Sequence, residues 1–210
     1  MTDVKSEALR YLGYRGSAPD EATAGLLDKG YAELRKTAEP RNITAVKDKS
    51  DIAHLLSGND IAKHLSRSER VIIFAVTLGS GTDRLIRTAE ITNMAYALIL
   101  DALASAMVEE SCNALEAELH AKIPGFFTWR FSPGYGDYPL DVQSGIIRLL
   151  EADKRIGLTV TESDILIPRK SVTALIGVSD SEQEKGQRGC ATCNLRETCN
   201  FRSAGTTCAT

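Results

Sequence analysis

The chain has no basic excess: 25 Lys and Arg stand against 28 Asp and Glu, a formal net charge of −3. That balance excludes the electropositive surface that binding to nucleic-acid phosphates requires. It is also too mild to imply disorder or a cationic partner. Long apolar runs are missing. The longest, around residues 95–100, ends at Asp101, far short of the roughly 20 residues that cross a bilayer. Residues 1–10 are polar and mixed in charge, so no N-terminal signal and a cytoplasmic protein are expected. Neither a G-x-G-x-x-G nor a G-K-[ST] run occurs, which excludes the dinucleotide and P-loop fingerprints. Gly79-Ser80-Gly81 comes nearest to an anion cradle at a helix start, with the wrong spacing for either. The three histidines, His54, His64 and His120, lie in ordinary helical contexts and form no nucleophile–base pair.

What remains is an ordinary globular composition, 43 % hydrophobic and 25 % charged, long enough for one large domain with an appendage. Helices are expected over residues 4–14 and 20–38, where Leu26, Leu27, Tyr31 and Leu34 share one face, and helix-like pieces over 51–56 and 60–65. A helical stretch from 82 to about 122 carries a nearly all-apolar middle and a break near Thr92-Asn93. Strands are expected at 41–47, 71–76, 126–131 and 171–178, with shorter β-rich pieces at 157–161 and 165–168. An amphipathic helix is expected over 140–151. Strands and helices interleave without a regular βαβ repeat, so the expected class is α+β. Cys112 reads as a core residue. The expected organisation is a domain over 1–180, with 1–49 as its N-terminal helical part, followed by a polar linker and cysteine-rich tail over 181–210.

Two stretches carry chemistry. The first is Trp129-Arg130-Phe131-Ser132-Pro133-Gly134-Tyr135-Gly136-Asp137-Tyr138-Pro139, where a strand breaks into a turn-rich run. Two prolines and two glycines fix its backbone. It also holds an arginine, two tyrosines and the only tryptophan. The run reads equally as a ligand clamp or a surface turn. The second is the tail, where Cys190, Cys193, Cys199 and Cys208 crowd together. Cys190-x-x-Cys193 brings two thiolates within reach of one metal, and the other two cysteines could complete a tetrahedral zinc site or hold an iron–sulfur cluster. Redox thiols, a disulfide or an unstructured tail are the alternatives.

Arg130 to Pro139 resembles the Arg-x-x-x-Gly-Tyr signature of the activation domain of cobalamin-dependent methionine synthase. Gly157-Leu158-Thr159-Val160-Thr161-Glu162-Ser163, then Ile167-Pro168 and Ser171-Val172, follows at that family's spacing. Ala102-Leu103-Ala104 leads to Glu109 much as the family's helix leads to its ligand-facing glutamate. The fold so implied is a twisted, mostly antiparallel sheet flanked by helices, with an N-terminal helical segment.

The resemblance implies an accessory subunit that binds S-adenosylmethionine and supports reductive re-methylation of cob(II)alamin. Arg130 would grip the ligand's carboxylate with its planar fork, Ser132 would offer backbone contacts, Tyr135 would pack on or bond to the ligand, and Glu109 would answer its positive charge. Asp137 and Tyr138 would only shape the turn. The Asp-x-His-x-x-Gly cobalamin signature is absent. The resemblance therefore implies action in trans on a corrinoid-binding methyltransferase, methionine synthase first, with flavodoxin or ferredoxin as reductant. Two other roles are kept: an electron-donor or reactivation partner of another corrinoid methyltransferase that works through its tail, and a non-catalytic capping subunit.

Overall fold

The computed structural model describes residues 3–14, 17–182 and 197–198. The chain opens with helices α1 (Val4–Tyr11) and α2 (Glu21–Thr37), strand β1 (Arg41–Asp48), a 3₁₀ segment (Lys49–Leu55) and the short helix α3 (Asn59–His64). Strand β2 (Arg70–Thr77), helices α4 (Ser80–Thr92) and α5 (Met94–Lys122) and the brief strand β3 (Phe126–Phe127) follow. The rest comprises α6 (Val142–Leu150), α7 (Ala152–Ile156), β4 (Thr159–Val160), β5 (Leu166–Ile167) and β6 (Ser171–Ser179). The class is α+β.

Four strands form one sheet in the order β1-β2-β6-β3, and β4 pairs antiparallel with β5 as a separate hairpin. Hydrogen bonds beyond the strand ends give the sense of the sheet. Glu69 N–H donates to Val178 O and Leu78 N–H to Lys170 O, so the partner's number falls as that of β2 rises. Lys49 to Glu69 and Glu39 to Leu78 show the same for β1. The sheet is antiparallel, as expected.

The chain divides into two compact units, with β1, β2 and β6 each passing from one into the other. The first takes the described residues within 1–45, 73–124 and 143–173. Its centre is α5, on which α1, α2 and α4 pack. Leu100, Leu103, Ala104 and Cys112 of α5 are fully buried, as are Ala8 of α1 and Leu34 of α2. Cys112 is thus the core residue its surroundings suggested. Burying a leucine side chain is worth about 1.5–3 kcal/mol, so this run contributes substantially to the unit's stability. Asn93 produces the expected break: its side chain accepts from Tyr96 N–H at 3.1 Å and caps the start of α5 directly after α4 ends. Polar ties sit around this core. Tyr96 donates to Glu33 at 2.8 Å, and Lys170 donates to Asp101 at 2.8 Å and to Ser105 Oγ at 2.9 Å.

The second unit takes 46–72, 125–142 and the described residues from 174 on. Its core gathers Ile52, Leu55, Ile61, Leu65, Val71, Ile72, Tyr138, Leu175 and Ile176, all essentially buried. Three boundaries differ from expectation. Helix α1 stops at Tyr11 rather than Tyr14, where the chain turns through Gly13. The helix expected to run to Glu151 continues as α7 after Glu151 takes a left-handed conformation with φ 49°. The strand expected over 126–131 is regular for two residues only.

Candidate functional site

The early end of β3 has a simple geometric origin. Phe126 pairs with Ser179 and Phe127 with Val178, and Thr128 N–H continues the ladder to Gly177 O at 3.0 Å. At the next contact Phe131 pairs with Leu175. The summed residue numbers are 305 for the first pairs and 306 for the last, so one extra residue has entered the β3 side. Trp129 and Arg130 together face the single residue Ile176. This is a β-bulge, the device by which an edge strand stops its ladder and re-aims a side chain. It falls on Arg130, which is half-buried.

Beyond the bulge the backbone makes two interlocked turns. Tyr135 N–H donates to Ser132 O at 3.2 Å, with Pro133 and Gly134 (φ 90°) as the central residues. Proline then glycine at positive φ is the signature of a type II turn. Tyr138 N–H next donates to Tyr135 O at 3.0 Å, and Gly134 N–H closes the loop onto Tyr138 O at 2.8 Å. Gly136 opens the second turn with φ 57°, a conformation glycine takes without a Cβ penalty. Phe131 and Tyr138 are buried beneath the loop, their rings 6.0 Å apart. Tyr138 donates to Leu55 O at 2.9 Å, and burial raises its phenol well above the ordinary value. Tyr135 stays 63 % exposed, its ring 6.2 Å from that of Phe131. The loop therefore presents an accessible tyrosine ring and a half-buried guanidinium on a backbone fixed by its own hydrogen bonds.

Arg130, Ser132 and Tyr135 all stand on this one loop of the second unit. The Ser132 carbonyl is used by the turn. Glu109 belongs to the first unit, half-buried on α5, where its charge and that of Glu7 add to the effect of burial in raising the Tyr11 phenol to about 12. Thr161-Glu162-Ser163, also in the first unit, forms the turn of the β4–β5 hairpin, with Ile165 N–H donating to Thr161 Oγ1 at 3.1 Å. Cys190, Cys193, Cys199 and Cys208 lie outside the described residues. Among the described residues, no three His, Cys, Asp or Glu side chains gather to hold a metal ion. No helix among them is long and apolar enough to cross a membrane.

Two residues near the loop escaped sequence reasoning. His64, treated as an unremarkable helical residue, bonds through Nε2 to Trp129 O at 2.8 Å. A carbonyl only accepts, so Nε2 carries the proton and donates. Its ring also lies tilted 4.4 Å from that of Trp129 and 4.9 Å from that of Phe131. Asp60, read only as part of a helix, accepts from Asp137 N–H at 3.1 Å. Both contacts join residues far apart in sequence, which local periodicity does not record. Tyr138 closes the turn through its own N–H and carbonyl, whereas the Asp137 carboxylate bonds to the amides of Asn59 and Asp60.

Residues 33–185 match the family model of the vitamin B12 dependent methionine synthase activation domain. No curated protein matches the chain. Among solved structures, the chain is similar to one described as the MetH reactivation domain bound to AdoHcy. The identity is 18 %, with 96 % of this chain and 83 % of that chain covered and a TM-score of 0.57. At that identity the likeness shows the shared fold.

Proposed function

Because this chain belongs to the family of the vitamin B12-dependent methionine synthase activation domain, we propose that it binds S-adenosylmethionine and supports reductive re-methylation of cob(II)alamin. The proposed recipient is a separate corrinoid-dependent methyltransferase, with methionine synthase as the first partner to test and methionine biosynthesis as the setting. The observation that carries the reading is the family match together with the Arg130–Tyr135 loop, whose bulge and paired turns hold a guanidinium and an open aromatic ring in place. The structural neighbour described as bound to AdoHcy supports the same ligand class.

The donor supplies an activated methyl group on its sulfonium, and the partner's reduced cobalt supplies the nucleophile. The residues of this chain therefore bind and orient the donor and exclude water, which makes proximity their main contribution. Arg130 is proposed to grip the ligand's carboxylate with paired charge-assisted hydrogen bonds. The Ser132 backbone and the Tyr135 ring are proposed to complete the contact. Glu109 is proposed to answer the positive charge of the amino or sulfonium group, a role that Glu109→Gln tests separately. Flavodoxin or ferredoxin is the proposed electron source, and the cysteine tail a proposed zinc or iron–sulfur site. An absorbance spectrum of anaerobically purified protein tests the cluster directly.

The deciding experiment mixes the protein with a corrinoid methyltransferase held as cob(II)alamin, a reductant and S-adenosylmethionine, and follows methylcobalamin by absorbance. Methylcobalamin should return only when all components are present. Equal return without this protein would end the proposal.

A further inference from the structure

Helix α3 touches the ligand loop at both ends. At its N-terminus the Asp137 carboxylate accepts from Asn59 N–H at 2.7 Å and from Asp60 N–H at 2.9 Å. Asp60 returns the contact by accepting from Asp137 N–H. Two residues 77 apart in sequence thus hold each other through backbone amides. Those bonds also depress the Asp137 carboxyl below its ordinary value, the Asp60 amide contributing most. At the last residue of α3, His64 holds the carbonyl of Trp129, immediately before Arg130. The loop from 129 to 137 is therefore pinned at both ends to one six-residue helix.

The approach is close enough to dictate sequence. A Cβ on Gly58 would lie 2.7 Å from the Asp137 carboxylate and 2.8 Å from its carbonyl oxygen, and a Cβ on Gly136 would run into the Asp60 carboxylate. Glycine at both positions leaves room for the two carboxylates to reach the amides. The Asp137 carboxylate is exposed and Asp60 half-buried, so neither belongs to the buried core. What the pair secures is the position of the chain.

We propose that Asp60 and Asp137 form a reciprocal clasp, and that with His64 they make α3 the positioning element that sets the Arg130–Tyr135 loop in its ligand-holding shape before the ligand arrives. This rests on the reading that the loop binds S-adenosylmethionine. Asp60, His64 and Asp137 are positioning residues: they act on the ligand through the backbone of the loop.

The test measures two things on the full chain, S-adenosylmethionine affinity by calorimetry and amide hydrogen exchange over residues 132–138. Asp137→Ala should weaken binding at least fivefold and speed exchange across the loop, with exchange in β2 unchanged. Asp137→Asn keeps one acceptor oxygen and should fall between Ala and the unsubstituted protein. Gly136→Ala, which leaves both carboxylates in place but crowds Asp60, should reproduce the defect. In the methylcobalamin assay, the half-saturating ligand concentration should rise while the rate at saturation holds, a split that general loss of stability would not give. Arg130→Ala should lose affinity with loop exchange unchanged. If Asp137→Ala does not fold, Asp137→Asn and Asp60→Asn decide the matter. Clasp variants that bind like the unsubstituted protein, while Arg130→Ala does not, overturn the clasp and leave the ligand reading intact. Unchanged loop exchange in the clasp variants also overturns it. Absence of binding by the unsubstituted protein, tested with its corrinoid partner present, overturns both.

Discussion

Along α5, Leu100, Leu103 and Ala104 are fully buried and α1, α2 and α4 pack against the helix. Along the loop of the second unit, Gly134, Tyr135, Gly136 and Asp137 are all exposed, and the chain is held by backbone hydrogen bonds and the contacts to α3. One region takes its shape from nondirectional burial, the other from directional polar bonds. Burial tolerates many sequences and supplies most of the stability. Directional bonds supply little net stability each, roughly 0.5–1.5 kcal/mol, but fix atoms where a ligand needs them. Substitutions in the first region should therefore move stability, and substitutions in the second should move binding.

The largest effect is expected at Leu103→Ala. Removing a fully buried leucine from α5 should lower the unfolding free energy by about 2–5 kcal/mol, read from a urea titration. Arg130→Ala tests the opposite case. Loss of charge-assisted bonds to a carboxylate should weaken S-adenosylmethionine binding about tenfold or more, with the urea midpoint nearly unchanged. A large stability loss at Arg130 would erase the contrast between the two regions.

Tyr138→Phe lies between these extremes, because it removes a buried bond to Leu55 O beneath the loop while leaving the ring in place. A loss of about 1 kcal/mol in unfolding free energy is expected. The smallest effect belongs to Tyr11→Phe, visible only in alkali. Burial, with Glu7 and Glu109 nearby, raises the Tyr11 phenol from 10.0 to about 12 in the folded protein. A folded-state pKa above the unfolded value contributes stability below pH 10 that is lost as pH rises toward 12. Thermal melts of the unsubstituted protein should fall more steeply over that range than those of Tyr11→Phe.

The contrast between burial and polar bonds also decides what the sequence makes legible. The apolar middle of α5, the continuous apolar run of β2 and the capping asparagine at position 93 are local signals, and each appears where periodicity and capping rules put it. Ser132-Pro133-Gly134-Tyr135 announced its turn by residue type alone. The bulge at Trp129-Arg130 did not, because it is a mismatch between β3 and β6, and a mismatch belongs to neither strand alone. The Asp60–Asp137 clasp and the His64 bond to Trp129 are hidden for the same reason. Asp60 looks like any acidic residue in the first turn of a helix until Asp137 is seen against it. Of the proposed ligand residues, three share one loop by sequence adjacency, whereas Glu109 lies elsewhere in the sequence, on α5, where a carboxylate interrupting an apolar helix is a weak signal that the family resemblance sharpens.

The loop is proposed to hold a methyl donor. A calorimetric titration of S-adenosylmethionine into the full chain, alone and with its corrinoid partner, tests it most directly. Saturable one-site binding is expected, weakened about tenfold or more by Arg130→Ala, while a folded Arg130→Ala protein keeps its thermal midpoint. No saturable binding even with the partner present, or equal binding by Arg130→Ala, would contradict it.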